Sequence, residues 1–85
     1  MLKIVRDQPT STSVVLRLEG RLVGPWVPEL RRIAEEVFAA GLHLGLDCAD
    51  LAFIDREGVA LMRELTARQA TLLSSSMFVG EMLRS

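Results

Sequence analysis

The chain has 85 residues and a formal charge of −1, from 10 Lys and Arg against 11 Asp and Glu, with one cysteine and one histidine. Its 49% hydrophobic and 25% charged content excludes intrinsic disorder. The balanced charge, with no basic run, argues against nucleic acid, and one Cys with one His assembles neither an internal disulfide nor a zinc set.

One domain over residues 1–85 is the expectation at this length. A chain of this size buries only about 60–65% of its unfolded surface, so it needs a rich core. The apolar content supplies one and leaves a surplus that points to self-contact or a docking surface. Lys3, Arg6 and Asp7 interrupt the first apolar stretch, which therefore lacks the core of a signal peptide. No window reaches the roughly 18 apolar residues of a membrane span. A cytoplasmic protein, with no membrane and no nucleic-acid partner, is expected.

Leu2 and Ile4 alternate with polar neighbours and predict a short first strand, followed by a polar turn over Gln8–Ser13. Val14 to Glu19 predicts a second strand, with Val14, Leu16 and Leu18 on one face and Arg17 and Glu19 on the other. A short polar connection makes the two an antiparallel hairpin. Gly20 and Gly24 bracket a turn, and Pro25 and Pro28 suit the first turn of a helix. In that helix Trp26, Leu30, Ile33, Val37 and Phe38 recur at helical spacing, and Gly41 is a left-handed stop.

His43 to Asp47 predicts a buried strand, reached from the second through one helix and so parallel to it. Ala49 to Ile54 leads into the next helix, where Asp55 is placed to cap the free N–H groups. Gly58 costs about 1 kcal/mol against alanine in that first turn, which implies close approach to a neighbouring element. The helix fades near Arg68 or Gln69. Thr71 to Ser74 predicts a fourth strand, and Ser75 or Ser76 caps a last helix with Phe78, Val79, Met82 and Leu83 on its apolar side. The order ββαβαβα predicts an α/β fold: a four-stranded mixed β-sheet with three helices packed on one face. The other face is left partly open.

The run Leu16 to Leu22, and Leu44-Gly45-Leu46-Asp47 followed by Phe53-Ile54-Asp55 and Gly58, resemble the STAS domains of anti-sigma factor antagonists and sulfate transporters. The similarity extends from about Val14 to Leu83. It implies a non-enzymatic protein-interaction module without cofactor, acting in bacterial-type signalling and transcription regulation. The implied partner is an anti-sigma factor, kinase-like or other signalling protein. In such antagonists a serine directly after the capping aspartate is phosphorylated, adding about −1.5 to −2 charges at the partner surface. That position here is Arg56, followed by Glu57, and neither carries a hydroxyl. The family switch is therefore expected to be absent. Glu57 stands as a weak, displaced copy of the phosphate charge, and Arg56 either pairs with Asp47 or Asp50 or reaches an acidic partner. Gln69 stands where similar sequences place a glycine.

The expected partner-binding residues are Asp55, Arg56, Glu57 and Gly58 at the second helix start, with Gly24 and Trp26 in the preceding apolar turn. Asp55 also reads as a plain structural cap, and Trp26 either anchors its helix or lies at the rim beside Val23, Pro25 and Val27. Two rival readings come from other classes. Asp47, Asp50 and Asp55 could form an Mg²⁺-dependent aspartyl phosphoacceptor of the receiver type. A third reading is a stand-alone oligomerising scaffold, for instance a homodimer. Ser74 to Ser76 with His43 gives no nucleophile–base arrangement, Cys48 reads as a small core residue, and Gly20 and Gly24 match no nucleotide fingerprint.

Overall fold

The computed structural model describes residues 1–84. The chain runs β1 (Leu2–Thr10), β2 (Ser13–Leu22), α1 (Trp26–Ala39), β3 (His43–Ile54), α2 (Arg56–Ala67), β4 (Thr71–Ser75) and α3 (Met77–Arg84). The four strands form one sheet in the order β1-β2-β3-β4. β1 and β2 are antiparallel, whereas β2–β3 and β3–β4 are parallel. The mixed sheet and three helices expected from the sequence are present.

The strands are longer than expected. β1 continues through Pro9 and Thr10, and only Ser11 and Thr12 turn. β1 is an edge strand, and its register shifts between Asp7 and Thr10, where Pro9 needs no ladder partner. Thr10 Oγ1 then closes the hairpin, 2.7 Å from Ser13 Oγ and accepting from Thr12 N at 3.2 Å. β3 takes in the whole of Ala49–Ile54, which the sequence suggested only as an approach to the helix. Its far half pairs with Glu19–Leu22 of an equally extended β2, and two register shifts absorb the irregularity. Each shift lets a strand bend without giving up the inward direction of its leucines. Leu18, Leu22, Leu51 and Ile54 all remain fully buried.

A single core joins the layers. Val14, Leu16, Leu44 and Leu46 of the sheet are buried with Leu30, Ala34 and Val37 of α1, Leu61 and Leu65 of α2, and Val79 of α3. α1 and α2 are further tied by Arg31 to Glu64, and by Arg68, which grips Glu35 at 2.6 and 3.0 Å while lying 4.3 Å over the Phe38 ring. Glu64 thus has a structural partner on α1. α3 begins where β4 stops: Ser76 N donates to Cys48 O at 3.2 Å and Ser76 Oγ to Leu51 O at 2.8 Å. The helix takes the place of β4 beside the far end of β3, covering an edge that would otherwise expose unpaired backbone groups. Phe78 stacks on Phe53 there, with ring centroids 5.5 Å apart, and Arg21 lies over the Phe53 ring.

Gly41 ends α1 with φ of 72°, as expected, but α2 turns into β4 through Gln69 at φ 78°. A left-handed backbone costs a residue with a Cβ about 1–2 kcal/mol. Gln69→Gly removes that strain at the cost of added freedom in the unfolded chain, so a net stabilisation of about 0.5–1 kcal/mol is expected. Urea unfolding would read it as a higher midpoint at unchanged slope.

Candidate functional site

Asp55 joins two segments distant in sequence. It follows β3 directly, its extended backbone (φ −91°, ψ −179°) aiming the carboxylate back over the first turn of α2. Oδ1 accepts from Gly58 N at 2.8 Å, the expected cap. Oδ2 accepts from Gly24 N at 3.0 Å, in the turn between β2 and α1. Nothing local in the sequence announces this second bond, because the partners lie 31 residues apart. It follows from the parallel register, which pairs Leu22 with Ile54 and so delivers both strand ends to one edge of the sheet. Asp55 N donates to Leu22 O at 3.2 Å, completing the link. Open parallel sheets gather their functional loops at this carboxyl edge.

The site residues expected from the sequence therefore converge, in three different settings. Arg56 and Glu57 are exposed, as is Gly24, which has a φ of 52°. Trp26 is half-buried, packed against the core from the first position of α1, so it both anchors the helix and keeps part of its ring accessible. Gly58 is buried. A Cβ there would lie 2.7 Å from Ile54 Cγ1 and 3.0 Å from the Leu22 carbonyl oxygen, so its absence lets α2 seat against the strand ends. Arg56 forms no ion pair with Asp47 or Asp50 among the described residues.

The aspartates do not converge. Asp47 accepts from Ala49 N at 3.1 Å and from Ser74 Oγ at 2.8 Å, and these bonds hold its carboxyl below the usual range. Asp55 is committed to two backbone amides. No group of three or more His, Cys, Asp or Glu side chains placed to hold a metal ion occurs among the described residues. His43 Nε2 lies 2.8 Å from Thr71 Oγ1 on the neighbouring strand.

Cys48 is fully buried, and burial first, with Asp47 adjoining, pushes its thiol up to about 12. A thiolate being the reactive species, alkylation at pH 8 is expected to be at least ~100-fold slower in the native protein than in guanidinium. Mass spectrometry of iodoacetamide-treated samples over time measures the ratio.

A mixed sheet with parallel β2–β3–β4 crossovers, three helices and a capped helix start at the carboxyl edge defines a STAS-like α/β protein, the fold of anti-sigma factor antagonists. Among solved structures, the chain is similar to the anti-sigma factor antagonist SpoIIAA in its unphosphorylated form. The TM-score is 0.72 and the identity 28%, over 96% of this chain and 82% of that one. It is similar to the same degree to the Bacillus cell fate determinant SpoIIAA in the phosphorylated form, with a TM-score of 0.73 and 27% identity over 96% and 81% of the two chains. The backbone therefore matches both states of that protein equally well. No family model and no curated protein matches the sequence. No helix among the described residues is long and apolar enough to cross a membrane.

Proposed function

We propose that this protein is a non-enzymatic interaction module of the anti-sigma factor antagonist kind. It docks stoichiometrically on a signalling protein of the anti-sigma factor or kinase-like class, in the cytoplasm, through Asp55–Gly58 and the Gly24–Trp26 turn. The observation that carries this reading is the double acceptance by the Asp55 carboxylate, at 2.8 Å from Gly58 N and 3.0 Å from Gly24 N. It fuses a helix start and a turn into one preorganised surface that presents Arg56 and Glu57, and a preorganised surface loses little freedom on binding. The similarity to SpoIIAA, solved with and without phosphate, supports the class.

The mechanism differs from a switch. Arg56 stands where the resemblance puts the modified serine, so the charge at this helix start is a permanent Arg56 and Glu57 pair rather than an added phosphate. Docking is then constitutive, governed by the amount of partner rather than by modification.

The test immobilises the native chain, Arg56→Ser and Glu57→Ala, and presents purified anti-sigma factor kinases from the source genome with and without ATP. The native chain should bind alike in both conditions. Arg56→Ser should bind without ATP and be phosphorylated and released with it. Binding that neither substitution alters would refute the proposed surface, and turnover of a substrate by the native chain would refute the non-enzymatic reading.

A further inference from the structure

Two depressions lie side by side along the seam between α2 and α3. One, of about 340 Å³, has Met62, Leu72 and Leu83 among its walls with Arg63 and Arg84. The other, of about 310 Å³, is lined by Val59 and Met82 with Arg56 and again Arg63. They share Arg63 and together make a groove, crossed by that side chain, which runs from the proposed docking surface down α2. Among the described residues that line them, the charged ones are Arg56, Arg63 and Arg84, in a chain whose overall charge is −1. The glutamates of α2 point elsewhere: Glu64 pairs with Arg31 of α1, and Glu57 lines neither depression.

We infer that this groove binds an acidic amphipathic helix of the protein partner. The inference rests on the reading of the preceding section and names the chemistry of the partner segment. The apolar floor with a cationic border is the complement of a helix with one apolar stripe flanked by carboxylates. Arg56 and Arg63 are seven residues apart on α2, about 10 Å along its axis, so an occupant lying along α2 meets both with acids spaced i and i+7. Arg84 borders the opposite wall. Its present partner, Glu81, is an exposed i−3 neighbour, and an incoming carboxylate replaces such a pair with little net change. Arg63 donates to Leu83 O at 3.4 Å, which places its guanidinium across the seam between the two helices.

The test uses a fluorescein-labelled helical probe of about 14 residues, with Glu at i and i+7 beside a Leu and Met stripe. Fluorescence anisotropy should report binding that falls at least about tenfold for Arg63→Glu and for Arg84→Glu, and that weakens with salt. A probe with Lys in place of Glu should recover binding to those variants. Arg63→Gln, with thermal melts of every variant, keeps the reading independent of misfolding. Equal binding of a scrambled probe, or no effect of the arginine substitutions, overturns the groove. Displacement of the probe by monomeric oleate with the same arginine dependence also overturns it, in favour of a fatty-acid site. Glu57→Ala lies outside the groove. If partner capture still responds to Glu57→Ala while the arginine variants change nothing, the groove fails and the docking surface stands.

Discussion

Asp55→Ala is expected to lower the thermal midpoint by roughly 10–20 °C, the counterpart of about 2–3 kcal/mol for a domain of this size. Alanine removes both charge-assisted bonds at once, leaving the N–H groups of Gly58 and Gly24 without their acceptor. Loss of an N-cap alone costs about 0.5–2 kcal/mol, and the tie to Gly24 adds to it. Asp55→Asn separates the two. Its amide oxygen still caps Gly58, while the NH₂ that replaces Oδ2 cannot accept from Gly24, so about half the loss is expected. Amide exchange identifies the cause directly: Gly24 N–H should exchange faster in both variants, and Gly58 N–H only in the alanine variant. Unchanged exchange at Gly24 in both would mean that the turn is held by something other than Asp55.

Gly58→Val should be at least as costly, at about 3 kcal/mol or more. The first atom added already lies 2.7 Å from Ile54 Cγ1 and 3.0 Å from the Leu22 carbonyl oxygen. Neither neighbour yields easily, since Leu22 O belongs to the backbone and also accepts from Asp55 N. Overpacking of this kind costs about 1–3 kcal/mol and more when backbone must move, and valine adds branching on a helix. Gly58→Ala meets the same contacts but gains about 1 kcal/mol of helix propensity, so its net loss should be distinctly smaller. Urea midpoints for the two variants would show the ordering. A valine variant as stable as the native chain would mean that α2 has slack against the strand ends.

Both positions were visible in the amino-acid order. An aspartate just before an amphipathic run reads as a cap, and a glycine in a first helical turn reads as close approach, because each rule concerns atoms within a few residues. The same holds for the helices, whose apolar stripes at period 3.6 match the buried Leu30, Ala34 and Val37 of α1 and Leu61 and Leu65 of α2. Strand ends were harder. Asp47, Asp50 and Pro9 look like punctuation, yet register shifts carry both β1 and β3 past them.

What the chain's order alone determined was the set of elements, their faces and the absence of a hydroxyl at positions 56 and 57. These depend on side-chain chemistry and short-range periodicity. Only the tertiary structure decided that Asp55 serves two segments, that Gly58 is packed against Ile54 and Leu22, and that Arg63 lines both depressions between α2 and α3. Each of those facts depends on which strands lie side by side and in what register. Pairing of that kind is selected by burial of the whole core, and no window of neighbouring residues contains it.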